Sequence, residues 1–269
     1  MPNVPVPEVR NPDDPVEYCR AFIELVRILR RECPWDRKQT HETIAHLLIE
    51  EAYETLEAIR EGDDAELSKE LGDLLLHVVM HSVIAEDRGA FTLQDVIARE
   101  MRKLIDRHPH VFGEVEVSGE EEVKQNWERL KLKEQGRKSL LEGVPKHLPA
   151  LLRAQRIQEK VSRVGFDWQD AQRAFEKVEE ELQEVKARLK DQDTEGLQQE
   201  FGDLLFALVN VLRLLGIVAE DALQQTNDRF IERFQYIEQQ AAEQGRSLQA
   251  MSLEEMDQLW EQAKQHLPS

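Results

Sequence analysis

The amino-acid sequence predicts an all-α protein made of two tandem repeats of a helical bundle. Apolar residues recur at the spacing of helices through most of the chain, and almost no segment shows the alternation typical of a strand. The 269 residues include only 12 Gly and 10 Pro, and 33% of them are charged. An acidic pattern that begins at Glu51 in the first half also returns at Glu181 in the second, with the same internal spacing.

Proline content and tryptophan spacing predict the domain boundaries. Five of the ten prolines fall within positions 1–15, and glycine and proline recur between 136 and 148, which is typical of a linker. The interval from Trp35 to Trp168 equals the interval from Trp127 to Trp260, so the duplication extends over nearly the whole chain. We predict an extended arm at 1–15, a first helical domain at 16–135, a linker at 136–148 and a second helical domain at 149–269.

Periodicity and capping residues predict ten helices. Thr40 or Thr43 is suited to cap the second helix and Thr92 to start the fourth, while glycines end the second and third. The predicted helices cover about 16–31, 40–60, 65–87, 92–107, 121–135, 149–163, 170–190, 194–214, 219–243 and 252–266. For the third helix, the apolar pattern predicts a buried side made of Leu71, Leu74, Leu75, Val78 and Val79.

Two quartets of acidic residues form the main candidate site. In each quartet, two pairs of carboxylates are spaced three residues apart, so each pair lies on one face of a helix. Four converging negative charges repel one another unless a cation neutralises them. The alternative is a solvated acidic surface, but the second pair of each quartet lies inside an apolar run, where unpaired charges are costly. The predicted metal ligands are Glu51, Glu54, Glu70 and Asp73, and again Glu181, Glu184, Glu200 and Asp203.

The residue types of the quartets favour Mg²⁺, with Mn²⁺ as the alternative. Carboxylate oxygens without imidazole or thiolate suit a hard cation. A di-iron helical bundle carries Glu-x-x-His pairs, and none of the eight histidines has a Glu three residues before it. Cys/His clusters of the kind that bind zinc do not occur. Such a site suggests metal-assisted attack of water on a phosphoanhydride, with Glu50, Glu180 and Glu181 as candidates to orient the water.

Basic and aromatic residues recur beside the quartets. Arginine and lysine bind phosphate oxygens, and a tryptophan can stack on a base, although ion pairing and core packing would explain each residue taken alone. The predicted substrate contacts are Arg229, Arg233, Trp260 and Lys264 in the second half, and Arg99, Lys103, Trp127 and Lys131 in the first.

Charge and composition exclude several classes of protein. A net charge of −19 argues against binding of a nucleic-acid polymer. The N-terminus has no signal-peptide pattern, and the apolar segment 201–219 contains Asp203, Asn210 and Arg213, so we expect a buried helix there and not a membrane span. Two cysteines without ligand or redox spacing fit a reducing cytoplasm.

The combined motifs closely resemble the MazG family of nucleoside triphosphate pyrophosphohydrolases, in its tandem-domain form. The resemblance covers about residues 16–266 and rests on nine segments: CPWDRKQTH (33–41), LLIEEAYETLEAI (47–59), ELGDLLLHVV (70–79), RHPHVFG (107–113), LPALLRAQRIQ (148–158), VGFDW (164–168), KVEEELQEV (177–185), EFGDLLFALVN (200–210) and NDRFIERF (227–234).

The resemblance implies a helical fold that dimerises and a Mg²⁺-dependent hydrolysis of nucleoside triphosphates to monophosphate and pyrophosphate. It places the family's metal motif on the two quartets, and its substrate contacts on Arg229, Arg233, Trp260 and Lys264. Since only the second half carries the element at Asn227, we expect that half to be the more active. Two alternatives remain open: an enzyme narrowly specific for dUTP or a damaged nucleotide, and a non-catalytic helical scaffold or partner-binding protein.

Overall fold

The computed structural model describes residues 4–120, 122–123, 126–127, 130, 139–191 and 193–266. Within these ranges the regular structure is helical and no strand is formed, which confirms the all-α prediction. The chain divides into two compact units, Met1–Leu130 and Lys131–Ser269. Each unit contains one copy of the acidic pattern.

The first unit consists of a hairpin of two long helices, α2 and α3, flanked by further helices. Helices α1 and α4 both pack on α3. A short 3₁₀ turn at Asp36–Lys38 leads into α2, and the described residues between 120 and 130 are helical. The helices are α1 (Pro15–Glu32), α2 (His41–Glu61), α3 (Asp64–Asp87), α4 (Leu93–Arg107) and α5 (Pro109–Phe112).

The second unit repeats this arrangement around the hairpin of α7 and α8. Helix α6 packs on α8, and α9 packs on both α6 and α10. The helices are α6 (Ala150–Ser162), α7 (Ala171–Asp191), α8 (Thr194–Leu214), α9 (Ala219–Glu243) and α10 (Leu253–His266). The observed bounds of α8 and α9 agree with the predicted ranges, and those of α6, α7 and α10 differ by one residue at one or both ends.

Local capping explains why α2 begins and ends where it does. The backbone N–H of Thr43 donates to Oγ1 of Thr40, and the N–H of Thr40 donates to Oγ1 of Thr43 at 2.8 Å, which forms a reciprocal capping box. At the other end Gly62 adopts a left-handed conformation with φ of +69°, which glycine reaches without steric cost. Of the two predicted caps, Thr40 and Thr43, the structure has Thr40 at the N-cap position.

The buried side predicted for α3 is wrong for three of its five residues. Leu71, Leu75 and Val78 are about half exposed, whereas Val79 is buried. The core of the first unit is formed by Val26, Ile44, Val79, Met80, Val83, Ile84 and Leu93. Helix α3 is apolar on two faces, and only one of them packs inside the unit, so periodicity alone did not identify the core-facing side.

The segment 201–219 is less buried than predicted, and it contains the boundary between two of the predicted helices. Helix α8 ends at Leu214, and a turn with Gly216 at φ of +74° separates it from α9. Ala207, Val209 and Val211 are buried, but Phe201 and Leu205 are exposed. None of the described helices alone is long and apolar enough to span a membrane, although α8 and α9 pass that test as a pair bent by 104°.

Candidate metal and nucleotide site

Three carboxylates of the first unit converge where α2 packs against α3. Glu51 on α2 and Glu70 and Asp73 on α3 each offer an oxygen, and these oxygens lie within 4.8 Å of one another. Glu70 is only 1% exposed, and its Oε1 accepts a hydrogen bond from Nζ of Lys69 at 2.8 Å. Its Oε2 is buried and has no partner among the described residues. A buried carboxylate oxygen without a donor is a position that a cation would satisfy.

The charges of this cluster affect one another. Burial raises the pKa of Glu51, and the neighbouring charge of Asp73 adds to the effect. Partial desolvation, followed by the charge of Glu70, raises the pKa of Glu54. The hydrogen bond from Lys69 instead lowers the pKa of Glu70, against the effect of its burial. The raised pKa values of Glu51 and Glu54 are those of partly desolvated carboxylates with other negative charges nearby.

The second unit forms the corresponding cluster between α7 and α8. Glu181, Glu184 and Glu200 offer oxygens within 4.8 Å of one another. Glu181 is buried, and its Oε1 accepts a hydrogen bond from Lys177 at 2.6 Å. A hydrogen bond shared with Glu200 raises the pKa of Glu184, and partial desolvation adds to this. Arg188 on α7 donates to Glu200 at 3.2 Å.

Both clusters fit a divalent cation. Their donors are carboxylate oxygens only, which is the ligand type of hard ions, and each cluster includes a carboxylate that is at least nine-tenths buried. Lys69, Lys177 and Arg188 form ion pairs with carboxylates of the two clusters. An all-oxygen cluster does not distinguish Mg²⁺ from Mn²⁺.

The structure brings together three of the four predicted ligands in each quartet. In the first quartet the residue outside the compact group is Glu54, which is exposed and whose pKa the charge of Glu70 helps to raise. In the second quartet it is Asp203, which lines a cavity together with Glu181. Of the residues predicted to orient water, Glu50 and Glu180 are exposed beside the clusters, whereas Glu181 is buried within the second cluster. Glu180 contacts Lys177 at 2.9 Å.

The predicted substrate contacts of the second unit lie on α9 and α10. The guanidinium of Arg233 lies 5.7 Å from the ring centroid of Trp260, and Phe230 contacts the same ring. Arg229 donates to Thr226, and Lys264 pairs with Glu261. Within the described part of the chain, no hydrogen bond or ion pair joins these side chains to the Glu181 cluster.

The predicted contacts of the first unit are arranged differently. Trp127 lies beneath Arg107, 5.6 Å from its guanidinium carbon, and not beneath Lys103. Lys103 forms an ion pair with Glu100, and Arg99 is exposed on the same helix. Lys131 lies outside the described residues. The structural equivalence of the two basic sets is therefore limited to a tryptophan packed against an arginine.

A cavity of about 650 Å³ adjoins the carboxylate cluster of the second unit. Its lining includes the charged side chains of Glu181, Asp203 and Lys177 and the aromatic side chains of Phe166, Trp168 and Phe206. Ligand sites are commonly apolar cavities of this size with a few converging polar groups. The sequence placed Phe166–Trp168 between two predicted helices, in the VGFDW segment, and gave no indication of this cavity.

Several side chains of the site were not predicted from the sequence. Lys177 stands four residues before Glu181, so the helical i, i+4 rule could have identified that pair. Lys69 is adjacent to Glu70 and carried no comparable signal. The contact of Arg188 with Glu200 joins different helices, so only the packing of α7 on α8 reveals it.

Comparisons with known proteins identify the family of the chain. Residues 39–112 and 169–237 each match the MazG nucleotide pyrophosphohydrolase domain, so each match contains one quartet. The chain is 46% identical over 250 residues to the nucleoside triphosphate pyrophosphohydrolase/pyrophosphatase MazG of Thermotoga maritima, covering 90% of this chain and 95% of the relative. It is 43% identical over 254 residues to the nucleoside triphosphate pyrophosphohydrolase of Escherichia coli K12, covering 93% of this chain and 97% of that protein.

A crystal structure of a mazG-related protein from Thermotoga maritima also matches part of the chain. It is 28% identical, and the alignment covers 42% of this chain and 97% of that one with a TM-score of 0.38. The two domain matches and the two full-length relatives are sufficient to assign the family. The chain belongs to the MazG nucleotide pyrophosphohydrolase family, with two copies of the domain in tandem.

Proposed function

We propose that the protein hydrolyses nucleoside triphosphates, both NTP and dNTP, to the nucleoside monophosphate and pyrophosphate in the presence of Mg²⁺. The observation that carries the proposal is the pair of three-carboxylate clusters, each placed within a matched family domain. The names of the relatives support the same activity. When bound, Mg²⁺ would neutralise phosphate charge and act as a Lewis acid, with Glu181, Glu184, Glu200 and Asp203 as its ligands in the second unit.

The protein's own residues supply the remaining parts of the reaction. Glu180 is exposed to solvent beside the cluster and is suited to accept a proton from an attacking water. The water oxygen forms a bond to the α-phosphorus, and the bond from this phosphorus to the bridging oxygen of the β-phosphate breaks. Pyrophosphate leaves with that oxygen. Its negatively charged oxygens are proposed to bind Arg229, Arg233 and Lys264. Glu50 has the position of Glu180 in the first unit.

We infer that the second unit is the more active one, because its cluster adjoins the cavity described above. The test is to assay pyrophosphate release from canonical, deoxy, damaged and alarmone-type nucleotides with and without Mg²⁺. Glu184→Gln is expected to abolish most turnover, whereas the matched variant Glu54→Gln retains it. The reverse result would overturn the assignment of the active unit.

The same panel separates the alternative functions. Turnover of dUTP or of one damaged nucleotide alone would indicate a narrowly specific enzyme. A scaffold would release no pyrophosphate from any nucleotide. Release of single phosphate would contradict attack at the α-phosphorus, because that attack produces pyrophosphate in one step.

We also propose that the protein forms a homodimer through apolar faces beside the clusters. Leu71, Leu75 and Val78 on α3 are exposed at spacings of four and three residues. The positions equivalent to these three in the second repeat are exposed as well, and they hold Phe201, Leu205 and Leu208 on α8. Repeated exposed apolar stripes of this kind are typical of helix–helix interfaces.

The cytoplasm is the proposed location of the protein. Cys19 and Cys33 are both free thiols, and unpaired cysteines are usual in a reducing compartment. This proposal does not depend on the catalytic one.

A further inference from the structure

Three histidines of the first unit lie together where the start of α2 packs against the second half of α3. The rings of His41 and His81 are stacked with their centroids 5.2 Å apart, and the centroids of His77 and His81 are 5.9 Å apart. His41 belongs to α2, whereas His77 and His81 belong to α3. The group is separate from the carboxylate cluster, since His81 follows Asp73 by eight residues, which is about 12 Å along a helix.

The second unit has no histidine at the corresponding positions. In the register that aligns Glu181 with Glu51, these positions hold Ala171, Ala207 and Val211. Ala207 and Val211 belong to the hydrophobic core of the second unit. The helical hairpin therefore forms with small apolar side chains at these places, and its packing does not require imidazole rings there.

Two ring nitrogens of the group are buried without a hydrogen-bond partner among the described residues. They are Nδ1 of His77 and Nε2 of His81. His77 as a whole is only 8% exposed. Buried polar atoms in folded proteins are nearly always paired, so two unpaired nitrogens one helical turn apart indicate a ligand from outside the chain.

The ring of His41 is placed to set the protonation of His81. The Nδ1 atoms of His41 and His81 are 2.9 Å apart, which is a hydrogen-bond distance. One of the two atoms must carry the proton, because two bare nitrogens cannot form this bond. When His81 is the donor, its Nε2 has a free lone pair, which is the form that binds a metal ion. Metal-binding histidines usually donate their other ring N–H in this way.

The chemistry of imidazole favours a different class of ion from that of the carboxylate clusters. Two histidines at i and i+4 lie on one face of a helix, which is the spacing that helical zinc motifs use. Imidazole nitrogen suits Zn²⁺, Cu²⁺ and Ni²⁺, whereas Mg²⁺ takes oxygen ligands. Burial lowers the pKa of His77 and the pKa of His81, and this favours the neutral rings that bind metal.

We propose that Nδ1 of His77 and Nε2 of His81 bind a divalent transition-metal ion in the first unit. Water fills the remaining positions around the ion, and His41 is a positioning residue that holds the ring of His81. The ion gives each of the two buried nitrogens a partner, and it accounts for histidines that only one of the two units carries. The inference does not depend on the proposed hydrolysis, since none of these residues belongs to a carboxylate quartet.

Electron paramagnetic resonance of bound Cu²⁺ tests the site directly. The full chain receives a substoichiometric amount of Cu²⁺, with excess Mg²⁺ present to compete for the carboxylate clusters. Nitrogen nuclei split the copper signal and oxygen nuclei do not, so the spectrum distinguishes imidazole ligands from carboxylates. We expect nitrogen coupling in the wild-type protein. Isothermal titration calorimetry in the same buffer gives the Kd of Cu²⁺.

Variants that copy the second unit sharpen the test. His77→Ala and His81→Val introduce the side chains found at the equivalent positions there, and circular dichroism establishes that each variant is folded. Each should reduce the nitrogen coupling and raise the Kd at least about 100-fold, whereas His41→Ala should keep the coupling and raise the Kd about tenfold. The matched control is His110→Ala, because His108 and His110 are another pair of rings, 5.6 Å apart. It should change neither the spectrum nor the Kd.

Two results would contradict the inference: a wild-type spectrum without nitrogen coupling, or an unchanged spectrum and Kd in both folded variants of His77 and His81. The first result would leave buried water as the partner of the two nitrogens. Loss of the coupling in His110→Ala alone would place the ion at the other histidine pair and refute the assignment. The wild-type protein and this control leave the proposed site intact, so they test it even if a substitution there prevents folding.

Discussion

Replacing Glu181 with glutamine removes one charge from the cluster at its most buried position. The substitution keeps the shape of the side chain but removes the negative charge of a proposed metal ligand. It also removes the ion pair between Glu181 and Lys177, whose charged atoms are 2.6 Å apart. It also relieves repulsion with Glu184 and Glu200, whose oxygens lie within 4.8 Å. In EDTA these effects oppose each other, so we expect a small change in the melting temperature.

In Mg²⁺ the expected effect is large. At a concentration of 100 times Kd, a ligand that binds only the folded state stabilises it by about 2.7 kcal/mol. For the second unit, Lys131–Ser269, an unfolding entropy of about 2.1 cal/mol/K per residue gives a rise in Tm of about 9 °C. If the variant weakens binding about 100-fold, the stabilisation falls to about 0.4 kcal/mol and the rise to about 1 °C.

The assay is differential scanning calorimetry with EDTA and with Mg²⁺. The matched control is Glu180→Gln, because Glu180 also contacts Lys177 but lies outside the three-carboxylate group. It should retain the Mg²⁺-dependent rise in Tm. If the two variants lose the rise equally, or neither loses it, the metal is not bound by the cluster that contains Glu181.

Three further outcomes test other parts of the structure. Leu205→Glu should convert dimer to monomer in sedimentation velocity, while Leu189→Glu, an exposed residue on α7, should not; a wild-type monomer would contradict the dimer. Because the pKa of Glu51 is raised, the folded protein binds its proton more tightly than the unfolded chain does, so in EDTA this residue's contribution to stability falls as the pH rises through the carboxyl range. Glu51→Gln should therefore flatten the decline of Tm with pH, and an identical profile would argue against the shift. Arg233→Leu should raise KM for ATP about tenfold in the pyrophosphate assay, with Arg233→Lys intermediate, and equal values in all three proteins would remove Arg233 from phosphate binding.

Helix positions could be predicted from the sequence because their determinants are local. The Thr40 and Thr43 capping box, the turn at Gly62 and the apolar periodicity all act within a few residues. The same holds for the spacing that places Glu70 and Asp73 on one face of α3. These signals were sufficient to identify the carboxylate clusters before the packing of the helices was known.

The remaining features depend on which helices pack together. The sequence of α3 is apolar on two sides, so it did not reveal that Leu75 is exposed while Val79 is buried. The contact between Arg188 and Glu200 joins two helices. The hydrogen bond from Nε2 of Gln158 to the backbone carbonyl of Phe206 likewise joins α6 to α8. Pairings of this kind leave no periodic signal in a single sequence.

The two units show how one fold can be retained while its interior changes. Both keep three clustered carboxylates, and a divalent cation bound there would impose the same requirement on each hairpin. Behind the cluster, Leu47, Met80 and Val83 strengthen the core of the first unit, since burial of such side chains contributes about 1.5–3 kcal/mol each. The second unit has Lys177, Asn210 and Arg213 in their place and forgoes that apolar packing. A cavity of about 650 Å³ beside the second cluster costs stability, and such a cost is expected of a site that a ligand fills.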